Sequence, residues 1–495
     1  MAQKIKALLY SVLFLMAMPM AAQTYPSACT NLTTIQLPSP LPNFGNLIGA
    51  NILVKDPEPN NATTCFHNPI VRVTDANTSN LKPNVSYGTG TGGSGDENLW
   101  NTNSTLFLVG DFGCCHYPYS FNPVTMQAAR LYATSKQGSG LVITRGGSWS
   151  YTNSQVLYTF AITGGTGGIA QILKYDFTNR VTPPTPTVVA NFKSGGNALP
   201  TNYNVRWSVN GFNSKDDLTF AVGFSGTGGQ NTGCDVAVWR NGSGFSHLNT
   251  CTGAVTGDFG STGTVGIADR FTIHNVKIAK DGTRVVITPG TCQTTCKNNR
   301  SPYAWTIGST TLAYLAPVGT PSGGHFTEGY THWINASGST GNVIRPFSSP
   351  SRHTLIPVTK PPGLVSPFDV HQGWNNVDAN DTVPFLITTT SMLSPFPSAW
   401  YNEVQAISPL TGTVWRFAHT YTNGKSQRFE TAIGAGSVSQ DGNFFIFSSD
   451  IGGTLGSESG TNTCTLGTNC RGDVFIVSLN PGVPSPRTGV TVIKH

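Results

Sequence analysis

The sequence is poor in charge. Only 11% of its 495 residues are Asp, Glu, Lys or Arg, and the basic ones form no block. That excludes the basic stripe through which proteins grip nucleic-acid phosphates. Long hydrophobic runs are missing beyond the first 22 residues. No later stretch approaches the roughly 18 uninterrupted apolar residues of a membrane-spanning helix, so no membrane span is expected. No long segment repeats its apolar residues with helical period, so helices are not expected to build the fold.

The opening stretch, "MAQKIKALLYSVLFLMAMPMAA", has two lysines, an apolar run and then small residues. It reads as a secretory signal peptide over 1–22. The mature chain is therefore expected to be secreted or periplasmic. Without Lys4 and Lys6, 27 of the 29 basic residues face 23 acidic ones, a net charge of +4. Such a charge permits a polyanionic glycan as partner without demanding one.

All ten cysteines lie in the exported part, an even number in an oxidising compartment, which reads as disulfides. Short separations suggest the bridges Cys234–Cys251, Cys292–Cys296, Cys464–Cys470 and Cys29–Cys65. Adjacent Cys114 and Cys115 suggest a vicinal one. A zinc cluster is the rival reading, weakened by the lack of paired Cys-x-x-Cys spacing. Sequons such as those at Asn31 and Asn241 matter only in a glycosylating host.

Glycine (56) and proline (32) are abundant, and short β-branched and aromatic runs alternate with polar turns. An apolar anchor, a polar turn and a second apolar run recur seven times, at Trp100, Trp149, Trp207, Val276, Trp333, Trp374 and Val438. The mean step is about 56 residues, within reach of a propeller blade with generous loops. The expected fold is all-β, a seven-bladed β-propeller over 95–495 with a turn-rich N-terminal extension over 23–94. Either "PIVRVTD" (69–75) or the C-terminal "GVTVIKH" is expected to complete the last blade, since a bare edge strand is hazardous.

"SVSQDGNFFIFSSD" (437–450) and "KIAKDGTRVVIT" resemble the TolB-type propeller repeat, whose blades open with a Ser-x-Asp-Gly hairpin. The resemblance is architectural, and a propeller by itself implies no activity.

The first strand of each blade lines the channel, so residues just ahead of it crowd one rim. His274, His332 and His371 stand two, one and three residues before their anchors, with Gln372 beside the third. Taken singly, each is ordinarily a hydrogen-bonded rim residue. Together, three imidazoles and one amide oxygen suit a divalent metal such as Mn²⁺, Zn²⁺ or Ni²⁺, with Ca²⁺ a further candidate cofactor. This resembles the metal centre of oligogalacturonate lyases, seven-bladed propellers that hold Mn²⁺ with histidines and a glutamine. The resemblance implies β-elimination of a uronate. His325 and Tyr330 are the candidate bases, and Arg206 and Arg428 the candidate carboxylate neutralisers, beside the metal.

Glu328 and Glu430 are the only acidic candidates near the channel, too few for the recurring carboxylate pair of a hydrolase. His116 and Tyr117 beside the vicinal cysteines add a loop of the same kind. The expectation is a secreted propeller acting on a polysaccharide or oligosaccharide, anionic ones included, as a monomer. The alternative is a non-catalytic propeller that binds carbohydrate or protein.

Overall fold

The computed structural model describes residues 25, 29–30, 50–51, 53–55, 66, 68–75, 83–84, 98–111, 116–132, 141, 143, 147–162, 169–193, 207–225, 232–293, 302–315, 326–337, 341–349, 354–356, 369–374, 379–390, 400–422, 436–457 and 470–480. Their strands fall into seven antiparallel sheets. The chain is a seven-bladed β-propeller.

In sequence order the inner strands of blades two to seven are Gly147–Trp149, Trp207–Asn213, Phe271–Ile278, Phe326–Glu328, Asp369–Gly373 and Gly436–Val438. In blade one, Pro83–Asn84 and the bridge from Trp100 to Phe107 fill that place. Blade three extends outward to six strands, ending at Gly263–Thr264. Blade seven closes the circle. Its fourth strand is Pro69–Arg72 from the N-terminal extension, paired with Asp473–Ser478 and flanked on the outside by Leu53–Lys55. The segment "GVTVIKH" lies outside the described residues. Every described strand before residue 95 joins a blade: Cys29–Thr30 adds to blade six, Leu53–Lys55 to blade seven and Pro83–Asn84 to blade one.

Blades stack face to face, and apolar side chains fill the gaps between them. Ala279, Phe326 and Trp333 pack between blades four and five, and Ile334, Trp374 and Ile407 between five and six. Trp100, Trp149, Trp333 and Trp374 are all fully buried.

That packing corrects the repeat register. Trp100, Trp149 and Val438 do pair across the end of the first hairpin, with Phe107, Leu157 and Phe445, and Trp374 follows the last pair of its blade. In blades three and four the equivalent residues are Asn213 and Ile278, paired with Phe220 and Val285. Trp207 and Val276 lie earlier on those strands. In blade five the equivalent is Glu328, and Trp333 faces it from the second strand. A tryptophan fills an interblade gap from either side of a hairpin, so it reports burial and not register.

The hairpins themselves carry the repeat more faithfully. Gly282 (φ 70°) and Gly442 (φ 71°) close the two Asp-Gly turns. Ser104 (φ 55°) and Asp217 (φ 58°) hold the same turn position in "NTNS" and "SKDD", so blades one and three have that hairpin without its glycine. Serine and aspartate tolerate this left-handed conformation at a cost glycine avoids.

Of the described cysteines, Cys234 and Cys251 bridge the start of one blade-three strand to the end of the next, as expected. Cys29, Cys292 and Cys470 are also disulfide-bonded. Their expected partners Cys65, Cys296 and Cys464, with Cys114 and Cys115, lie outside the described residues. No described helix is long and apolar enough to cross a membrane.

Candidate functional site

Two ends of the channel are distinguished by the chain direction. Inner strands begin at the loop face and end in their first hairpins at the hairpin face. The expected site residues divide between the two.

His274 sits on the inner strand of blade four, four residues before its last pair, Ile278 with Val285. The register slips between Ile273 and Asn275, which pair with Pro289 and Thr288. His274 is thus the extra residue of a β-bulge, a device that turns a side chain out of the ladder's alternation. A second bulge interrupts the inner strand of blade three between Ser208 and Gly211. The imidazole of His274 is partly buried, and burial lowers its pKa.

His371 and Gln372 lie on the inner strand of blade six, where their backbones pair with Thr388 and Ile387. Arg206 and His325 stand in the chain immediately before the inner strands of blades three and five. They, Arg428 and Glu430 lie outside the described residues.

His332 and Tyr330 are not ahead of a first strand, as expected, but beyond it. The inner strand of blade five is Phe326–Glu328, and the second begins at His332. Four residues of strand separate His274 from the hairpin face, about 13 Å at the usual rise. Metal bonds of about 2 Å cannot span that, so His332 does not share an ion with His274.

What His332 does instead is visible. Asp381, in the blade-six hairpin, accepts from the backbone N–H groups of Tyr330 (2.8 Å), Thr331 (2.8 Å) and His332 (2.9 Å), and from the Thr331 hydroxyl (2.8 Å). The His332 Nδ1 is 3.2 Å away. Burial raises the Asp381 pKa, but these hydrogen bonds outweigh it and hold the carboxyl below its usual value.

Asp217 clamps blade two to blade three in the same way, accepting from the Ser150 and Thr152 hydroxyls (2.5 and 2.6 Å) and the Tyr151 and Thr152 amides. Glu328 is likewise held: the Lys277 Nζ is 3.8 Å from its carboxylate and donates to the Phe326 carbonyl at 3.2 Å. His116 and Tyr117 are buried in blade one, with the Arg130 guanidinium 3.8 Å above the Tyr117 ring.

A fully buried cluster in blade six gave no signal in the sequence. Arg416 reaches Glu403 with two nitrogens (2.7 and 2.6 Å), His419 lies 3.6 Å away, and Phe66 stacks on His419. Burial alone would raise the Glu403 pKa, yet Arg416 and His419 drive it far below the carboxylate range. Among the described residues no group of three or more His, Cys, Asp or Glu is arranged to hold a metal ion.

No protein-family model matches the chain, and no curated protein matches it. Solved structures do. An oligogalacturonate lyase from Vibrio parahaemolyticus is 10% identical, with a TM-score of 0.49 over 86% of this chain and 96% of that one. The Dos1 propeller is 11% identical, with a TM-score of 0.37 over 77% and 76%. The Sqt1 protein of Chaetomium thermophilum, bound to the N-terminus of ribosomal protein L10, is 11% identical, with a TM-score of 0.35 over 76% and 80%. At these identities the likenesses concern fold alone.

Proposed function

We propose that the protein is an exported propeller that acts on a polysaccharide at the loop face of its channel. In its finer form, the proposal is a metal-assisted lyase that cleaves a uronate-containing glycan by β-elimination. The observation that carries it is the β-bulge at His274 on the inner strand of blade four, a device that re-aims a side chain, with His371 on the inner strand two blades on.

Corrected register also changes the blade-five contribution. His325, three residues before Glu328 in the chain, takes the place first given to His332. The proposed ligand set is then His274, His325 and His371, three imidazoles suited to Mn²⁺ or Zn²⁺, while Gln372, one residue from the hairpin end of its strand, is left out by the measure that excludes His332. A bound cation would supply charge to neutralise a uronate carboxylate, and so acidify the proton beside it. Arg206 and Arg428, ahead of blades three and seven, are the proposed second neutralisers. Tyr330, on the hairpin face, leaves this proposal.

The test is metal analysis of the purified exported chain, followed by ultraviolet absorbance of unsaturated uronates during incubation with a polyuronate panel. Lyase action requires bound metal, unsaturated product, and loss of both in His274→Ala at an unchanged melting temperature. Metal-free protein that yields no product on any polyuronate sinks the lyase. Retained glycan affinity in that case supports the alternative, a non-catalytic carbohydrate-binding propeller.

A further inference from the structure

At the hairpin face, the second residue after the inner strand's last pair is Tyr151 in blade two, Lys215 in blade three, Lys280 in blade four and Tyr330 in blade five. Consecutive blades thus set two lysines side by side between two half-buried tyrosines. The blades are tied together at this level: the Lys215 amide donates to the Lys280 carbonyl (2.9 Å), and the Lys280 amide to the Gly329 carbonyl (3.1 Å).

The two ammonium groups are treated differently. Lys280 Nζ donates to the Glu328 carbonyl. Lys215 Nζ is buried, lies 3.9 Å from the centre of the Tyr151 ring, and has no hydrogen-bond acceptor. A buried ammonium with three unused donors is costly, and evolution ordinarily supplies an acceptor or a hydrophobic residue instead. Burial and the charge of Lys280 both push the Lys215 pKa well below its usual value, against the pull of Asp217. Asp217 is the carboxylate that pulls it upward, and its oxygens are already taken by blade two and by Asn213.

We infer that the hairpin face between blades two and five binds an oxyanion, a carboxylate or phosphate, through Lys215 with Lys280 beside it. The flanking tyrosines would let that oxyanion be borne on a sugar ring, which stacks on aromatic faces. This site lies at the other end of the inner strands from His274 and stands without the lyase reading.

The test follows thermal unfolding of the full chain with rising inorganic phosphate, D-galacturonate or D-galactose at fixed ionic strength. The native protein should show a saturable rise in Tm with phosphate or galacturonate and none with galactose. In Lys215→Met the half-saturating concentration should rise on the order of tenfold or more. Without anion, Lys215→Met should melt no lower than the native chain, because the apolar stem is kept and the unpartnered amine is gone. Response to galacturonate alone marks a saccharide ligand, and response to both marks a general oxyanion site. No saturable rise in the native chain, or an equal response in Lys215→Met, overturns the site. Should the methionine variant not fold, Lys215→Gln is read by the same criteria.

Discussion

Asp217 and Asp381 hold one post in different blades. Each adopts a left-handed backbone (φ 58° and 59°) in its first hairpin, and each turns its carboxylate back onto the preceding blade's hairpin. Strain at the backbone is offset by four or more hydrogen bonds to a carboxylate, buried in Asp381 and half-buried in Asp217, and such bonds are about twice as strong as neutral ones. Because the Asp381 pKa is lowered on folding, its contribution is present above the unfolded carboxyl value and is lost as pH falls through the folded one. Asp381→Asn should therefore lower the urea midpoint at pH 7 by an amount equivalent to about 1–3 kcal/mol. The gap between variant and native should narrow steadily below about pH 4, where the unfolded carboxyl takes its proton. A gap that is constant with pH would mean that the hydrogen bonds and not the charge hold the clamp. His332 belongs to the same clamp, and a packing role for it was the ordinary expectation for a lone rim histidine.

At the scale of elements, hairpins and bulges decide where chemistry can sit. "SKDD" and "AKDG" make one turn because the fourth position, not its residue type, is what the ring of hairpins shares. Tryptophan spacing made seven blades legible and misplaced His332, since Trp333 occupies the second strand of its blade. The bulge at His274 does leave a mark in the sequence: in "FTIHNVKI" the apolar residues stand at 271 and 273 and then at 276 and 278, so the alternation slips by one across His274 and Asn275. Blade three's outward strands lean on the Cys234–Cys251 bridge, which closes a loop over a sequence separation of 17. Loop entropy for a ring of that size amounts to about 3 kcal/mol. The double variant Cys234→Ala/Cys251→Ala should lose that much in chemical denaturation. Should it be as stable as the native chain, the added strands hold themselves and the bridge is dispensable.

The whole molecule is a circle closed by hydrogen bonds between distant parts of the chain. Ile70, Val71 and Arg72 pair with Val477, Ile476 and Phe475, and Arg72 meets the Asp473 carboxylate, itself held by Arg471, deep in blade seven. Tyr25 is buried against Trp415 and Phe417 between blades six and seven. An exported chain lacking residues 23–75 should consequently leave blade seven with an open edge and expose Phe475 and Val477. The expected result is aggregation or a much reduced melting temperature, with recovery when a peptide spanning 66–75 is supplied in trans. A truncated chain that folds like the native one would show that closure lies elsewhere.

Composition, turn chemistry and the recurring anchors determined the all-β class and the number of blades, and left "PIVRVTD" and "GVTVIKH" as the two candidates to complete the last blade. These follow from local rules: alternation, turn residues, and the cost of a bare strand edge. The pairing of Pro69–Arg72 with Asp473–Ser478 came from the structure. Only the tertiary structure separated His332, at the start of a second strand, from His274 in the middle of an inner one. That depends on strand register, which a bulge or a hairpin of different length shifts by one to several residues. It alone also set Lys215 beside Lys280 and Tyr151, because residues about 65 positions apart in sequence become neighbours when blades close around an axis.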